Sequence, residues 1–124
     1  GTRFLVAKEC TISPVYKEKI LKAKDIDTIS TGRRLGHPVR ALKTPFTREL
    51  AHMEYDSNIS DEELEQFGVG ALRKAAREGD AQHGSFLAGQ VAAMVHKEQT
   101  AKEIITELFE QGEQVLGGAM KWVK

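Results

Sequence analysis

Gly1 and Thr2 are the first residues of the sequence whose types could bind a ligand. They precede a short apolar run, from Phe4 to Val6, that has the composition of a β-strand. A glycine lets a backbone N–H come close to a phosphate, and a threonine hydroxyl adds a second donor. The pair therefore indicates either a phosphate site or the end of a strand that binds nothing.

A second candidate site is the small-residue segment HGSFLAGQ at residues 83–90. Its glycines allow a flat cofactor or substrate to approach the backbone closely, and the hydroxyl of Ser85 could donate a hydrogen bond. A helix entry that needs only a cap would explain the same residues. Both interpretations stay open at this point.

His37 lies among three arginines in the segment GRRLGHPVR. A histidine beside guanidinium groups can bind a phosphate or a carboxylate, although a solvated loop has the same composition. The four histidines show no HxxxH or HxH pairing, so we predict no metal site. The acidic run DEELE is interpreted as a solvated first helical turn and not as a catalytic carboxylate pair.

The composition describes a chain of 124 residues with 18 basic and 18 acidic side chains. Such a length is typical of one domain. Zero net charge gives no electrostatic reason to expect a nucleic acid or an anionic membrane as partner. The single cysteine excludes an internal disulfide and favours the cytoplasm. Neither a membrane-spanning run nor a signal-peptide pattern is visible.

The elements that must position these residues begin with a predicted strand over residues 2–7. Ser13 is expected to cap a helix that starts at Pro14. Residues 27–31 and 39–43 are β-leaning and separated by a glycine-containing loop, which predicts a hairpin.

Helix-start signals predict most of the remaining chain to be helical. Helices are expected from Pro45, after the capping box at Ser60, from Ala71, and after the capping box at Thr100. A short apolar helix is expected from Val91. Apolar residues recur at helical spacing in the last long helix, which predicts a buried stripe. That stripe consists of Ile104, Ile105, Leu108, Phe109, Val115 and Leu116.

Gly117 and Gly118 are expected to bend or fray the last helix. One terminal strand and one hairpin cannot form a sheet that all these helices could cover. The sequence is therefore expected to be part of a larger fold.

Several segments, taken in order, resemble one family. These are GTRFLVAKE, YKEKILKAKDIDT, GHPVRALK, FTREL, GVGALRKA, EGD and GSFLAGQVA. They resemble the C-terminal part of the FMN-dependent enoyl-acyl-carrier-protein reductase II family, within the wider nitronate monooxygenase (2-nitropropane dioxygenase-like) family. The resemblance extends to about Glu110. It implies an α/β fold, namely the C-terminal portion of a (βα)8 barrel with an inserted substrate-covering region, this portion being mostly helical with a few short strands.

The resemblance also implies roles for individual residues. Gly1 and Thr2 would lie at the end of the eighth strand and hold the phosphate of FMN. The GSxxAGQ stretch would line the substrate pocket beside the flavin, and its residues here are Gly84, Ser85, Leu87, Ala88, Gly89 and Gln90. Leu87 stands where related reductases often have methionine and related monooxygenases serine, which favours the reductase. The GHPVRALK segment would cover the substrate channel, with His37 and Arg40 structural or near the substrate.

The family's catalytic histidine lies in an AGGH segment that has no counterpart in these residues. We therefore expect no catalytic residue in the chain, and we expect the chain alone to be inactive. The resemblance divides it into residues 1–24 (the end of the last barrel strand and the following helix), 25–90 (the inserted region with the pocket loop) and 91–124 (C-terminal helices that pack on the barrel).

The whole protein is then expected to be a cytoplasmic enzyme of fatty-acid biosynthesis. It would reduce trans-2-enoyl thioesters with NADH or NADPH through FMN. Its partners would be the remainder of the barrel and the enoyl-acyl-carrier protein or acyl thioester, without nucleic acid or membrane, and a homodimer is left open. The alternatives are a nitronate monooxygenase that uses FMN and O2, or a non-catalytic fragment or interaction module.

Overall fold

The computed structural model describes residues 1–123. Its α-helices are α1 (Thr2–Leu5), α2 (Pro14–Leu21), α3 (Pro45–Tyr55), α4 (Asp61–Gly68), α5 (Ala71–Arg73) and α6 (Ala101–Ala119). A π-helical turn (Lys74–Glu78) continues α5, and 3-10 turns cover Gln90–Met94 and Met120–Trp122. The strands are β1 (Thr28–Thr31) and β2 (Val39–Leu42).

The predicted hairpin is confirmed. Strands β1 and β2 pair antiparallel, with Thr28 opposite Leu42 and Thr31 opposite Val39. The connecting loop leaves β1 through Gly32, whose φ is +81°. A Cβ at this position would lie 2.5 Å from the carbonyl oxygen of His37, so only glycine fits the turn.

The helix starts predicted at Pro14, at Pro45, after Ser60, at Ala71 and after Thr100 are also confirmed, whereas the helix expected from Val91 is a 3-10 turn at Gln90–Met94. The Ser13 hydroxyl accepts a hydrogen bond from the backbone N–H of Tyr16 at 3.3 Å and caps α2. Ser60 and Glu63 exchange the two hydrogen bonds of a capping box at the start of α4, and Thr100 forms the same arrangement before α6. Each such cap contributes about 1 kcal/mol.

The predicted strand at residues 2–7 is wrong, because residues Thr2–Leu5 form one helical turn. The N–H of Phe4 donates to the carbonyl of Gly1 at 3.0 Å, and Ala7 N–H donates to the carbonyl of Phe4 at 3.1 Å. The β-propensity of this run is a weak preference that tertiary contacts override. Ala7 alone forms an isolated parallel bridge, to Gln99.

The hydrophobic core lies where α2, the hairpin, the π-helical turn and residues 84–95 meet. Its buried members are Val6, Tyr16, Ile20, Leu42, Ala75, Phe86, Ala88, Ala92 and Val95. The rings of Tyr16 and Phe86 meet edge to face with centroids 5.0 Å apart. This contact joins α2 to the segment that the sequence analysis selected as a pocket.

The predicted buried stripe of α6 is wrong apart from its first member. Ile104 is buried, whereas Ile105 and Leu108 are about half exposed and Phe109 is 71% exposed. Glu107 of α6 bonds Arg3 of α1, whereas Val115 and Leu116, further along the stripe, are 72% and 71% exposed. The helix also continues through Gly117 and Gly118 to Ala119, so the predicted fraying is wrong as well.

Candidate functional site

The pocket segment, residues 84–90, runs along the hairpin like an irregular third strand. The N–H of Leu42 donates to the carbonyl of Phe86 at 2.8 Å, and Ala88 N–H donates to the carbonyl of Arg40 at 3.1 Å. Between these bonds, Ala41 and Leu87 form an antiparallel bridge. The backbone of the segment is therefore fixed by β2 on one side.

Tyr16 fixes the same segment from α2. Its hydroxyl donates a hydrogen bond to the carbonyl of Leu87 at 2.7 Å. Burial raises the pKa of Tyr16 to about 12. The phenol consequently stays protonated and keeps donating near neutral pH. The sequence analysis missed this role, because the two residues are 71 positions apart and no local pattern links them.

Thr2 and Gly89 are in direct contact. The backbone N–H of Gly89 donates to the Thr2 hydroxyl oxygen at 2.8 Å, and Thr2 is 8% exposed. A Cβ at Gly89 would lie 3.2 Å from that oxygen, which is closer than most side chains tolerate. The two segments singled out from the sequence therefore meet at one point.

Hydrogen-bond donors remain available at the start of α1. The backbone N–H groups of Thr2 and Arg3 belong to the first helical turn and donate to no acceptor within residues 1–123. The Thr2 hydroxyl accepts from Gly89 and retains its own proton to donate. These donors fit the oxygens of a phosphate.

Arg3 holds the helical turn in place from its other side. Its guanidinium donates to Gln99 Oε1 and to Glu107 Oε2, each at 2.7 Å. Lys97 Nζ lies 3.3 Å from the same Glu107 oxygen. Hydrogen bonding from Gln99, supported by the charges of Lys97 and Arg3, holds the pKa of Glu107 below its ordinary value. The carboxylate thus stays charged and ties α1 to α6.

The residues of the pocket segment differ in how far they are accessible. Gly84 is buried against the π-helical turn, where a Cβ would lie 2.4 Å from the carbonyl oxygen of Asp80. Ala88 is buried as well, while Ser85 and Leu87 are half-buried and Gln90 is exposed. Gly84 and Ala88 therefore act in packing, and the other side chains can reach a ligand.

The side chains of His37 and His83 form no hydrogen bond to the pocket segment within residues 1–123. His83 is exposed, and its Nδ1 lies 2.9 Å from Asp80 Oδ2. Hydrogen bonds from His83 and Gln82 lower the pKa of Asp80 to about 2. His37 is exposed in the hairpin loop, whereas the backbone of Arg40 contacts the pocket segment.

The described residues were also compared with the requirements of a metal site and of a membrane-spanning helix. Within residues 1–123, no group of three or more His, Cys, Asp or Glu side chains is placed to hold a metal ion. No helix in this part of the chain combines the length and the apolar character that a bilayer crossing requires.

Comparison with known proteins places this arrangement in a family. A sequence model of the nitronate monooxygenase family matches residues 1–111. The chain belongs to the nitronate monooxygenase family. A probable nitronate monooxygenase of Staphylococcus saprophyticus is 32% identical over 94% of the chain, and one of Staphylococcus aureus is 25% identical over the same share.

Solved structures match over the whole chain. FabK from Thermotoga maritima is 39% identical and covers 99% of the chain with a TM-score of 0.91. A point mutant of FabK from the same organism gives a TM-score of 0.80 at 36% identity. The fold is therefore the C-terminal portion of a (βα)8 barrel, mostly helical with two short strands. The chain spans about a third of the length of the curated relatives and 39% of the FabK chain.

Proposed function

We propose that this chain is part of an FMN-dependent reductase that converts trans-2-enoyl thioesters of acyl-carrier protein into saturated thioesters with NADH or NADPH. The observation that carries the proposal is the agreement with FabK, an enoyl-acyl-carrier-protein reductase II, at a TM-score of 0.91 and 39% identity. That identity exceeds the 32% and 25% to the probable nitronate monooxygenases.

Gly1 and Thr2 hold the phosphate of FMN in this proposal. The free N–H groups of Thr2 and Arg3 and the remaining proton of the Thr2 hydroxyl support the assignment. The Thr2 hydroxyl oxygen accepts the N–H of Gly89, which leaves its proton free to donate to the phosphate.

The pocket segment positions the substrate. Ser85, Leu87 and Gln90 contact the enoyl thioester or the flavin, while Gly84, Ala88 and Gly89 let the backbone pack closely enough to reach them. Tyr16 and β2 hold the backbone of the segment still, which reduces the entropy lost when the substrate binds. Bound FMN supplies the hydride transfer to the enoyl group.

The remainder of the barrel supplies the other parts of the enzyme. Its surface covers the exposed apolar side chains of α6, because an apolar face of this extent marks an interface. Residues 1–24, 25–90 and 91–124 are the barrel end, the substrate-covering region and the packing helices. The enzyme acts in the cytoplasm, in fatty-acid biosynthesis, and the isolated chain is inactive. A homodimer is compatible with the same apolar face.

The second candidate is a nitronate monooxygenase that uses FMN and O2. The family match over residues 1–111 and the names of the curated relatives favour it. Leu87 favours the reductase, because an apolar side chain beside the pocket suits an acyl substrate better than a small nitronate.

The two candidates are separated by steady-state assays of the intact flavoprotein. The reductase predicts NADH or NADPH oxidation that depends on a crotonyl thioester, with little oxygen uptake when an alkyl nitronate is supplied. Oxygen uptake with the nitronate and no thioester-dependent oxidation would reverse the assignment.

The flavin site is tested separately with Thr2→Ala and Thr2→Ser. Loss of one hydrogen bond to a charged oxygen costs about 1.5 kcal/mol, or roughly tenfold in FMN affinity. Thr2→Ala should therefore weaken FMN binding about tenfold, measured by fluorescence titration of the apoprotein, and Thr2→Ser should retain most of it. If Thr2→Ala binds FMN as tightly as Thr2→Ser and the unchanged protein do, Thr2 does not bind the phosphate.

A further inference from the structure

Arg3 joins the turn that carries Thr2 to the last long helix. Its guanidinium donates to Glu107 Oε2 on α6 and to Gln99 Oε1 just before α6, each at 2.7 Å. Gln99 Nε2 donates to the same Glu107 oxygen at 2.7 Å, so the three side chains form a closed hydrogen-bonded ring. A ring of this kind fixes the guanidinium more firmly than a single surface ion pair does.

The ring is partly shielded from water. The side chains of Arg3 and Glu107 are 28% and 24% exposed, whereas those of the surface pair Lys22 and Glu18 are 75% and 60% exposed. Shielded charges attract each other more strongly than fully solvated ones, because less water screens them. The bond from Arg3 to Glu107 is therefore strong enough to hold the turn.

Thr2 lies between this ring and the pocket segment. Its hydroxyl oxygen accepts the N–H of Gly89 at 2.8 Å, and the adjacent Arg3 is held by α6. The turn is thus fixed by the pocket segment on one side and by α6 on the other. The position of the Thr2 hydroxyl consequently depends on both contacts.

We propose that Glu107 is a positioning residue for the phosphate of FMN, which acts through Arg3 to keep the Thr2 hydroxyl in place. The inference rests on the proposed function, in which Thr2 binds that phosphate. A turn that is fixed before the ligand arrives loses less conformational entropy when the ligand binds. FMN binding and the docking of α6 on α1 consequently favour each other, because coupling between two sites is reciprocal.

The sign of the effect separates positioning from electrostatics. Glu107→Gln removes a negative charge beside the turn, and through space that change alone favours the binding of a phosphate dianion. The same substitution weakens the anchor of Arg3, because a neutral amide oxygen is a poorer acceptor than a carboxylate. Weaker FMN binding in Glu107→Gln therefore reports positioning and not charge.

The test compares FMN with riboflavin, which has the same ring system and no phosphate, by fluorescence titration of the intact apoprotein. The variants are Glu107→Gln, Arg3→Ala, the two combined, and Thr2→Ala. Glu113→Gln makes the same charge change at an exposed position of α6 and serves as the matched control. Within residues 1–123, Glu113 takes part in no ion pair.

We expect Glu107→Gln to weaken FMN binding about fivefold while riboflavin binding stays unchanged, and Glu113→Gln to change neither. In the Arg3→Ala background the Glu107→Gln substitution should have no further effect, because it acts through Arg3. Bound FMN should also slow amide hydrogen exchange in residues 101–108, and Glu107→Gln should abolish that protection.

Equal losses for FMN and riboflavin would assign Glu107 to the stability of the fold and overturn the inference. A gain in FMN affinity would show that charge outweighs positioning and would overturn it as well. Thr2→Ala separates this inference from the proposed phosphate site. If Thr2→Ala weakens FMN binding and Glu107→Gln does not, only the positioning role fails. If neither variant weakens it, the phosphate site itself is wrong.

Discussion

Replacing Gly84 by alanine should destabilise the protein, because no space exists for a Cβ. The ideal Cβ position lies 2.4 Å from the carbonyl oxygen of Asp80 and 2.9 Å from both N and Cα of Ala75. These are backbone atoms of the π-helical turn and of the loop after it, so no side chain can rotate away. The Asp80 carbonyl also accepts a hydrogen bond from the N–H of Gly84 at 2.9 Å, which the displacement would lengthen.

The size of the effect follows from three contributions. Overpacking costs about 1–3 kcal/mol and a lost hydrogen bond about 1 kcal/mol. Alanine recovers about 0.4–1 kcal/mol because it restricts the unfolded chain. We expect Gly84→Ala to lower the free energy of unfolding by about 1–3.5 kcal/mol.

Urea unfolding of the intact flavoprotein, followed by circular dichroism, measures this difference. Gly112→Ala is the control, because a Cβ there meets nothing within 4 Å and α6 favours alanine by about 0.5–1 kcal/mol. A change of less than about 0.5 kcal/mol in Gly84→Ala, with an unchanged m-value, would refute the packing argument.

Three further variants test the contacts around the site. Tyr16→Phe leaves the carbonyl of Leu87 without its donor and should cost about 1–2 kcal/mol. The pKa of Tyr16 is raised from 10.0 to about 12, so its contribution to the free energy of unfolding is complete below about pH 10 and is lost as the pH rises toward 12. The stability difference between Tyr16→Phe and the unchanged protein, measured by urea unfolding, should therefore shrink over that pH range. Asp80 has its pKa lowered to about 2, so its contribution is present above about pH 4 and lost on acidification, and the difference in stability between Asp80→Asn and the unchanged protein should shrink toward pH 2. Gly89→Ala places a Cβ 3.2 Å from the Thr2 hydroxyl oxygen and should weaken FMN binding, measured by fluorescence titration. Unchanged FMN affinity would show that the contact between Gly89 and Thr2 does not contribute to flavin binding.

The parts of the fold that could be predicted from the sequence are those fixed by short-range chemistry. Ser13 and Ser60 mark helix starts through hydrogen bonds to residues three positions away. Gly32 marks the hairpin loop because its positive φ and the nearby His37 carbonyl admit no side chain. Such signals lie within a few residues and are readable without a structure.

The errors arose where distant contacts decide the conformation. Residues Thr2–Leu5 have the composition of a strand, yet the ion pair from Arg3 to Glu107 fixes them as a helical turn. The stripe on α6 has the period of a buried face, yet the described chain offers nothing to cover Phe109 and its neighbours.

The two segments of the candidate site can be selected from residue types and from the resemblance, but the contact between them cannot be predicted from the sequence. Thr2 and Gly89 are 87 positions apart, and nothing in the sequence between them predicts the bond of 2.8 Å. The role of Tyr16 cannot be predicted from the sequence either, because a hydroxyl that bonds a carbonyl 71 positions away leaves no local pattern.

Product analysis of the intact flavoprotein tests the central claim most directly. The protein is incubated without oxygen with NADH, NADPH and a crotonyl thioester, and the acyl product is analysed by mass spectrometry. The account predicts a butyryl thioester, heavier than the substrate by two hydrogen atoms, formed in proportion to the nicotinamide oxidised. Recovery of unreduced crotonyl thioester, while the same protein oxidises an alkyl nitronate in air, would contradict it.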